Sequence, residues 1–188
     1  MKKIILNNIK NSIEQLKFLK NKKYIDIISE ISDEITKTLK NNRKVIFCGN
    51  GGSAADSQHL SSELASQFLK KNRKALASIS LTTNSSLLTA IGNDFSYDKI
   101  FSKQLEAIGN QEDFLIAIST SGKSKNIIQA LKYAKKKKIK TFLLTGNKNK
   151  NKNISDFLLE VPSNRVDRIQ EMHILIGHTI CELVENNF

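Results

Sequence analysis

Five short, continuously apolar segments are the feature of this sequence that most restricts its fold. They alternate with segments of helical periodicity and occupy residues 45–48, 76–79, 114–118, 141–144 and 157–161. A strand without polar alternation is buried on both faces, and helical crossovers between such strands make them parallel. The sequence therefore predicts a three-layer α/β/α sandwich built on a five-stranded parallel sheet.

Helical periodicity dominates both ends of the chain. Apolar residues recur every three or four positions over residues 3–20 and 24–41, which predicts two amphipathic N-terminal helices. A long last helix is predicted over residues 166–185, after the turn residues 162–164, and it is apolar around most of its circumference. So much apolar surface exceeds what one small domain readily hides, so we expect a second subunit to cover the last helix.

Chain length and the absence of a dividing segment indicate one domain. The sequence has 188 residues, a usual size for a single domain, and no linker or internal repeat interrupts it. We therefore expect residues 1–188 to form one domain. Residues 1–41 are the helical pair that we expect to take part in oligomer packing.

The charge of the chain permits several partners, and its distribution favours small ones. Thirty Lys and Arg against 18 Asp and Glu give a net charge of +12, which could attract nucleic acid, an anionic membrane or a phosphorylated ligand. The lysines are spread along the chain, and the clusters at 135–138 and 148–152 fall at expected helix ends and loops. Three Tyr and no Trp provide few surfaces for base stacking. We expect no nucleic-acid partner.

No segment of the sequence predicts a membrane location. None approaches the roughly 20 apolar residues that cross a bilayer, and the apolar start at residues 4–6 ends too early for a secretory signal. Cys48 and Cys181 form neither a CxxC pair nor a disulfide framework, which indicates reduced thiols. The expected location is the cytoplasm, with no membrane partner.

Two loops rich in glycine and serine follow the first and third predicted strands. They read CGNGGS at residues 48–53, before a helix predicted over 54–69, and STSGKS at residues 119–124, before a helix starting near Lys125. Strand carboxyl ends that lead into helix N-termini offer N–H groups and a positive dipole end to an anion. Neither loop is a P-loop or a dinucleotide fingerprint. One such loop would be read as an ordinary turn, but two at equivalent strand ends favour a phosphate site.

Four motifs make the chain resemble the phosphoheptose isomerases of the sugar-isomerase (SIS) domain superfamily. They are CGNGGSAAD at 48–56, AIGND at 90–94, ISTSGKS at 118–124 and RIQEMHI at 168–174. The resemblance implies a flavodoxin-like SIS domain, a homotetramer and one zinc ion per subunit. It also implies interconversion of sedoheptulose 7-phosphate and D-glycero-D-manno-heptose 7-phosphate through an enediol, for the heptose of bacterial surface polysaccharides.

The candidate catalytic residues are of the types that such an isomerisation requires. A base must move a carbon-bound proton, and an acid or electrophile must stabilise the enediolate. His59 and Glu63 lie four residues apart on one helix face and could share a cation. The resemblance places zinc on His59, Glu63, Gln170 and His178, with Glu63 as base and His178 as acid.

The spacing of two of these ligands raises a geometric question. Gln170 and His178 are eight residues apart, about 12 Å along a helix, so their side chains must converge strongly or come from different subunits. His173 is the competing ligand, and its alternative role is that of a packed or capping histidine. The resemblance selects His178.

The resemblance also implies a set of residues around the sugar phosphate. We expect the hydroxyl and N–H groups of the second loop to bind the phosphate, and an Asn-Asp pair to bridge sugar hydroxyls. The set comprises Gly51, Gly52, Ser53, Glu63, Asn93, Asp94, Ser119, Thr120, Ser121, Ser124 and Gln170.

Two other functions are compatible with such a domain. One is a non-catalytic SIS-domain regulator that binds the bacterial replication initiator, and the other is a sugar-phosphate-sensing module of a transcription factor. The regulators lack the catalytic glutamate and histidine, whereas Glu63 and His178 are present here. We expect no DNA-binding segment beside this domain, which counts against the sensing module. The sequence therefore favours an enzyme.

Overall fold

The computed structural model describes residues 1–147 and 153–188. Its centre is a five-stranded sheet in the order β2-β1-β3-β4-β5, in which every neighbouring pair is parallel. The strands are β1 Val45–Gly49, β2 Ser78–Ser80, β3 Phe114–Ser119, β4 Lys140–Gly146 and β5 Phe157–Val161. The predicted five-stranded parallel sheet is confirmed. Strand β2 begins later than predicted because the Leu76 N–H donates to the Leu64 carbonyl instead of to β1.

Helices cover both faces of the sheet. They are α1 Lys2–Phe18, α2 Lys22–Lys40, α3 Gly52–Ala65, α4 Ser85–Asp94, α5 Ser102–Ile108, α6 Lys125–Lys136 and α7 Val166–Glu185. One core cluster joins the sheet to α2, α3 and α7, and a second joins it to α5 and α6. The predicted three-layer sandwich is confirmed. The lysine cluster at 148–152 lies outside the described residues.

Helix α7 has the predicted bounds, and other elements of the same chain bury one stripe of it. Its apolar stripe is buried within the chain, at Ile169, Met172, Ile176, Ile180 and Val184. Helices α2 and α3 and the sheet cover this stripe, while Val166, Leu175 and Leu183 of the same helix remain exposed, so a second subunit over the rest of α7 stays a prediction. Helix α1 has no buried residue and exposes apolar side chains along its whole length. No helix in the described part of the chain is both long and apolar enough to cross a membrane.

Helix α3 is shorter than the helix predicted over residues 54–69. It ends at Ala65, and the backbone N–H groups of Phe68, Leu69 and Lys70 donate to the Glu185 carboxylate at the end of α7. These donors therefore bind a side chain from another helix instead of continuing the helical ladder. The end of α3 is decided by a contact 115 to 117 residues away in the sequence.

Helices α3 and α7 run side by side in the same direction and approach closely. A Cβ atom on Gly177 of α7 would lie 2.7 Å from Cδ2 of Leu60 on α3, well inside van der Waals contact. One turn further on, the Cys181 thiol lies 3.9 Å from the Leu60 carbonyl oxygen. Leu60 is itself buried, so it has little room to move. Glycine at position 177 therefore sets the separation of the two helices.

We expect alanine to have opposite effects at two helical glycines. Gly177→Ala should lower the free energy of unfolding by about 1–3 kcal/mol, because the added methyl overpacks Leu60. Gly92→Ala, on α4, should raise it by up to about 1 kcal/mol, because nothing lies within 4 Å of the added Cβ and alanine is the better helix former. Urea unfolding at a single protein concentration measures both. Equal effects at the two positions would contradict the close approach of α3 and α7.

Candidate active site

The two glycine- and serine-rich loops meet where the sheet changes its direction of winding. Strands β1 and β3 are neighbours, but β1 leads to β2 on one side and β3 leads to β4 on the other. The helices that follow them, α3 and α6, therefore pack on opposite faces and leave a crevice at the strand carboxyl ends. Ligands of doubly wound sheets bind at this position. The predicted placement of both loops at equivalent strand ends is confirmed.

The first loop leaves the N-terminus of α3 open. Gly51 has φ +56°, a left-handed conformation that glycine adopts without strain. Helix α3 then begins at Gly52, and no described side chain caps it, so the positive end of its dipole is open to an anion. The Ser53 and Ala54 N–H groups already donate to the carbonyls of Asn50 and Gly51. The space where a Gly52 side chain would lie is occupied by the Gln170 carboxamide, whose Cδ is 3.0 Å from the ideal Cβ position. The fold therefore brings Gln170 of α7 to the predicted substrate loop.

The second loop collects hydroxyl groups at the start of α6. The Ser119 hydroxyl accepts the Gly122 N–H at 3.2 Å and lies 3.5 Å from the Ser124 hydroxyl. The Ser121 hydroxyl accepts the Lys123 N–H at 3.2 Å. The Thr120 carbonyl accepts the Gly146 N–H from the end of β4, which fixes the loop to the sheet. Ser124 makes no capping hydrogen bond to α6, and Asn126 Oδ1 accepts the Ile127 N–H at 2.9 Å. The hydroxyls and the remaining N–H groups at this helix start together form a site suited to phosphate.

Two asparagines that the sequence did not identify join the loops. The side-chain amides of Asn50 and Asn126 donate to each other at 2.9 Å in both directions. The Tyr97 hydroxyl donates to the same Asn50 oxygen at 3.0 Å. The only signal in the sequence is that Asn126 is a polar residue on the buried face of an amphipathic helix. This pair fixes the spacing of the two candidate phosphate loops.

The predicted sugar-binding pair lies at the edge of the crevice. Asn93 and Asp94 form the exposed last turn of α4, and the Asn93 amide donates to the Asp94 carboxylate at 3.0 Å. Tyr97 follows three residues later and connects this segment to the first loop through Asn50. Both side chains are therefore open to solvent beside the loops, as sugar-binding groups should be.

Three of the four predicted zinc ligands converge between α3 and α7. The Nε2 atoms of His59 and His178 are 2.8 Å apart, and Glu63 Oε1 is 3.4 Å from the same His59 nitrogen. The His178 ring stacks on Phe68, with 5.3 Å between centroids and 17° between planes. About half of the His59 side chain is exposed, whereas Glu63 is largely covered. The catalytic pair predicted from the sequence, Glu63 and His178, thus lies on neighbouring helices within one group.

The other candidate ligands lie elsewhere in the same chain. Gln170 is held over Gly52, at the opposite end of α3 from Glu63. His173 is fully buried, and burial lowers its pKa to about 4, an effect that the Thr145 backbone only partly offsets. A ring in this setting is neutral at pH 7 and is a packed core histidine, not a ligand beside His178.

The donor atoms of the His59 group suit zinc in kind. Two imidazole nitrogens and one carboxylate oxygen form a ligand set that catalytic zinc sites use, with a fourth position left for substrate. Among the described residues, however, no three His, Cys, Asp or Glu side chains are already arranged around one cation position. The Nε2 atoms of His59 and His178 now contact each other. To bind one cation, both atoms would have to exchange this contact for a bond to the metal.

Asp56 is a further acidic group near the site to which the sequence assigned no role. It lies on α3 between the first loop and His59, where burial raises its pKa and His59 partly opposes that effect. Its Oδ2 atom makes no hydrogen bond to any described residue. A carboxyl group with a raised pKa beside a cleft is a candidate participant in proton transfer or substrate binding.

Comparison with known proteins agrees with this geometry. Residues 6–146 match the SIS domain family. A phosphoheptose isomerase from Clostridium acetobutylicum is 50% identical over 187 residues, which are 98% of this chain and 95% of that protein.

Two solved structures share the whole architecture. A phosphoheptose isomerase from Neisseria gonorrhoeae has a TM-score of 0.90 and 36% identity, covering 98% of both chains. One from Francisella tularensis has a TM-score of 0.93 and 34% identity, covering 98% of this chain and 97% of the other. These matches extend over nearly the full length of every protein compared. The chain belongs to the phosphoheptose isomerase family of SIS-domain proteins.

Proposed function

We propose that this protein converts sedoheptulose 7-phosphate to D-glycero-D-manno-heptose 7-phosphate in heptose biosynthesis. The observation that carries the proposal is the convergence of Glu63 and His178, which lie beside His59 on two parallel helices. Relatives with near full-length similarity are phosphoheptose isomerases. The proposed reaction moves a carbonyl group between C1 and C2 of the sugar.

The residues of the chain divide this work between binding and proton transfer. The loop hydroxyls and N–H groups at 119–124 would bind the phosphate, while Asn93, Asp94 and Gln170 would bind sugar hydroxyls. Binding at the end of the sugar that does not react orients C1 and C2 at the proton-transfer groups, which lowers the entropic part of the barrier.

Glu63 and His178 have complementary roles in the proton transfer. Glu63 removes a proton from C1 of the ketose while His178 protonates the C2 oxygen, and the electrons of the broken C–H bond form the C1–C2 double bond of the enediol. Glu63 then returns its proton to C2, and His178 recovers a proton from the C1 hydroxyl as the aldose carbonyl forms. General acid–base catalysis of this type contributes about 10²- to 10⁴-fold to a rate.

The proposed active site is completed by a second copy of the chain. Gly52, in the first loop, and Glu63 are separated by about 16 Å of backbone, so the loop and the proposed base lie at opposite ends of α3. The phosphate loops of one chain would therefore serve the Glu63 group of a neighbouring chain. A cleft of about 510 Å³ lies at the amino ends of β4 and β5, and neither the phosphate loops nor the Glu63 group lines it.

The proposed assembly is a homotetramer, and the exposed face of α1 supports it. Ile5, Ile9, Ile13 and Leu16 lie along one side of this helix and are each at least two-fifths exposed. Isolated exposed apolar residues are ordinary, but a stripe of this length is typical of an interface. Residues 1–18 are the part of the predicted N-terminal pair with the most apolar surface left to bury.

Zinc is part of the same proposal. His59, Glu63 and His178 would hold it, and when bound it would polarise the sugar carbonyl and stabilise the enediolate charge. Gln170 could join this ligand set only from a neighbouring chain, because its own chain holds it at Gly52. Three protein ligands with one open position also suit a catalytic zinc ion.

The alternative of a non-catalytic regulator is less well supported. The two side chains that such relatives lack are present and share one exposed group with His59. A cytoplasmic location is proposed with the enzyme, because the substrate class is phosphorylated and both cysteines are free, buried thiols.

The first test is turnover of sedoheptulose 7-phosphate in deuterated water. The aldose product should carry deuterium at C2, because the proton that Glu63 holds can exchange with solvent. Glu63→Gln should lower kcat by about 10²- to 10⁴-fold. Glu106→Gln, which removes an exposed carboxylate on α5, should not. Metal-replete wild-type protein that fails to turn over this substrate would refute the proposed function.

The second test removes the metal. Dialysis against a chelator should remove zinc and lower kcat by about 10²-fold, with recovery when zinc is restored. His59→Asn should lose zinc as measured by atomic emission, whereas Gln58→Ala, its exposed neighbour, should retain it. If chelation removes zinc without changing the rate, the metal has no catalytic role.

The third test concerns assembly. Ile9→Asp places a charge in the exposed stripe of α1 and should dissociate the tetramer in sedimentation experiments, with activity lost in parallel. Asn11→Asp adds the same charge to the same helix outside that stripe and should leave the tetramer intact. A wild-type protein that sediments as a fully active monomer would contradict both the assembly and the shared site.

A further inference from the structure

We propose that Arg73 and Glu185 are positioning residues that hold Glu63 and His178 in their working arrangement. The two side chains form an ion pair at 2.9 Å and are almost completely buried, with exposures of 0% and 1%. Glu185 is the last residue of α7, and Arg73 lies in the segment that follows α3; these two helices carry the catalytic groups. The inference rests on the catalytic roles proposed above for Glu63 and His178.

Glu185 organises the segment that follows α3. Its Oε1 accepts the N–H groups of Leu69 and Lys70 at 2.7 and 2.8 Å, and its Oε2 accepts the Phe68 N–H at 3.0 Å and the Arg73 Nε at 2.9 Å. Four donors therefore surround one buried carboxylate. Burial alone would raise the pKa of Glu185, but Arg73 and the three backbone donors outweigh it and hold the pKa at about 2.

Arg73 closes the C-terminal end of α3. Its Nη2 donates to the Glu63 carbonyl at 2.8 Å, and its Nη1 donates to the carbonyls of Leu64 at 3.0 Å and Lys74 at 2.7 Å. The last carbonyls of a helix lack partners within the helix, and a cation at this end also favours the helix dipole. Arg73 therefore bonds directly to the backbone of the proposed catalytic base.

The same pair places a ring against the proposed catalytic acid. The Phe68 N–H is bound by Glu185, and the Phe68 ring stacks on His178 with 5.3 Å between centroids. His178 and Glu185 are themselves seven residues apart on α7, two turns along one face. Glu185 therefore supports His178 both through its own helix and through the ring that packs on it.

A second buried carboxylate, that of Asp113, provides a matched control. Asp113 pairs with Lys44 at 2.6 Å and accepts the N–H groups of Lys44 and Asn110, and its side chain is 1% exposed. It resembles Glu185 in burial and in hydrogen bonding. It lies at the amino end of β3, and none of its described hydrogen-bond partners belongs to α3, to α7 or to the segment after α3, so its loss should affect stability alone.

The experiment compares Glu185→Gln, Arg73→Lys and Phe68→Leu with Asp113→Asn, all assayed well below their melting temperatures. The Glu185 and Arg73 variants weaken the buried ion pair and the hydrogen bonds it makes, because neither replacement reproduces both the charge and the bond geometry of the original side chain. Phe68→Leu keeps the backbone N–H and the apolar packing, so it remains informative if a buried-pair variant fails to fold.

Displaced catalytic groups should lower kcat and leave ground-state binding largely intact. We expect kcat for sedoheptulose 7-phosphate to fall by about 10²-fold in Glu185→Gln, Arg73→Lys and Phe68→Leu. KM should change by less than about twofold, because the phosphate loops are untouched. Asp113→Asn should lose stability and keep the wild-type kcat. Folded Glu185→Gln and Phe68→Leu proteins with wild-type kcat would overturn the inference.

A spectroscopic measurement tests the inference without using turnover. The Phe68 ring current should shift the His178 Cε1–H resonance, recorded on ¹³C-labelled protein at equal zinc content. Phe68→Leu and Glu185→Gln should move this resonance, and Asp113→Asn should leave it in place. If the resonance moves as expected in these variants but the wild-type protein has no isomerase activity, the positioning holds and the proposed function fails. If it stays unchanged in both variants, the positioning is refuted whatever the activity.

Discussion

The close parallel packing of α3 against α7 is the constraint on which the rest of this structure depends. Gly177 allows it, because any side chain at that position would collide with the buried Leu60. The two helices then run in register, so that Gln170 meets Gly52, His178 meets His59, and Glu185 meets the segment after α3. Each functional contact across this interface follows from one helix separation and one register.

That register also divides the functional residues into two groups. The N-terminal ends of α3 and α6 offer positive dipole ends and hydroxyls to an anion, which is where a doubly wound sheet binds its ligand. The proton-transfer residues lie two to three turns further along α3. The proposal that a neighbouring chain completes the site rests on this separation. In that proposal, the exposed face of α1 is where the chains associate.

Charge is used very differently inside the protein and on its surface. Several ion pairs, such as Lys17–Glu14 and Lys103–Glu106, join exposed neighbours on one helix, and pairs of that kind contribute little to stability. The buried carboxylates of Asp113 and Glu185 instead accept several donors each. A buried charge is tolerated only when it is bonded in this way, and the geometry it imposes is correspondingly rigid. Glu185 is the one of the two that lies beside the candidate catalytic group.

The sequence by itself determined the elements and the chemistry they carry. Continuous apolar runs identified the five strands, periodicity located α7, and composition located both loops, because these signals are local along the chain. Glu63 and His178 were implied by the family resemblance that the four motifs carry. Only the tertiary structure decided which side chains meet. The Asn50–Asn126 pair, the early end of α3, the position of Gln170 and the covering of α7 all depend on residues 76 to more than 100 positions apart. Such contacts are set by the winding of the sheet and the separation of two helices, which no local pattern encodes.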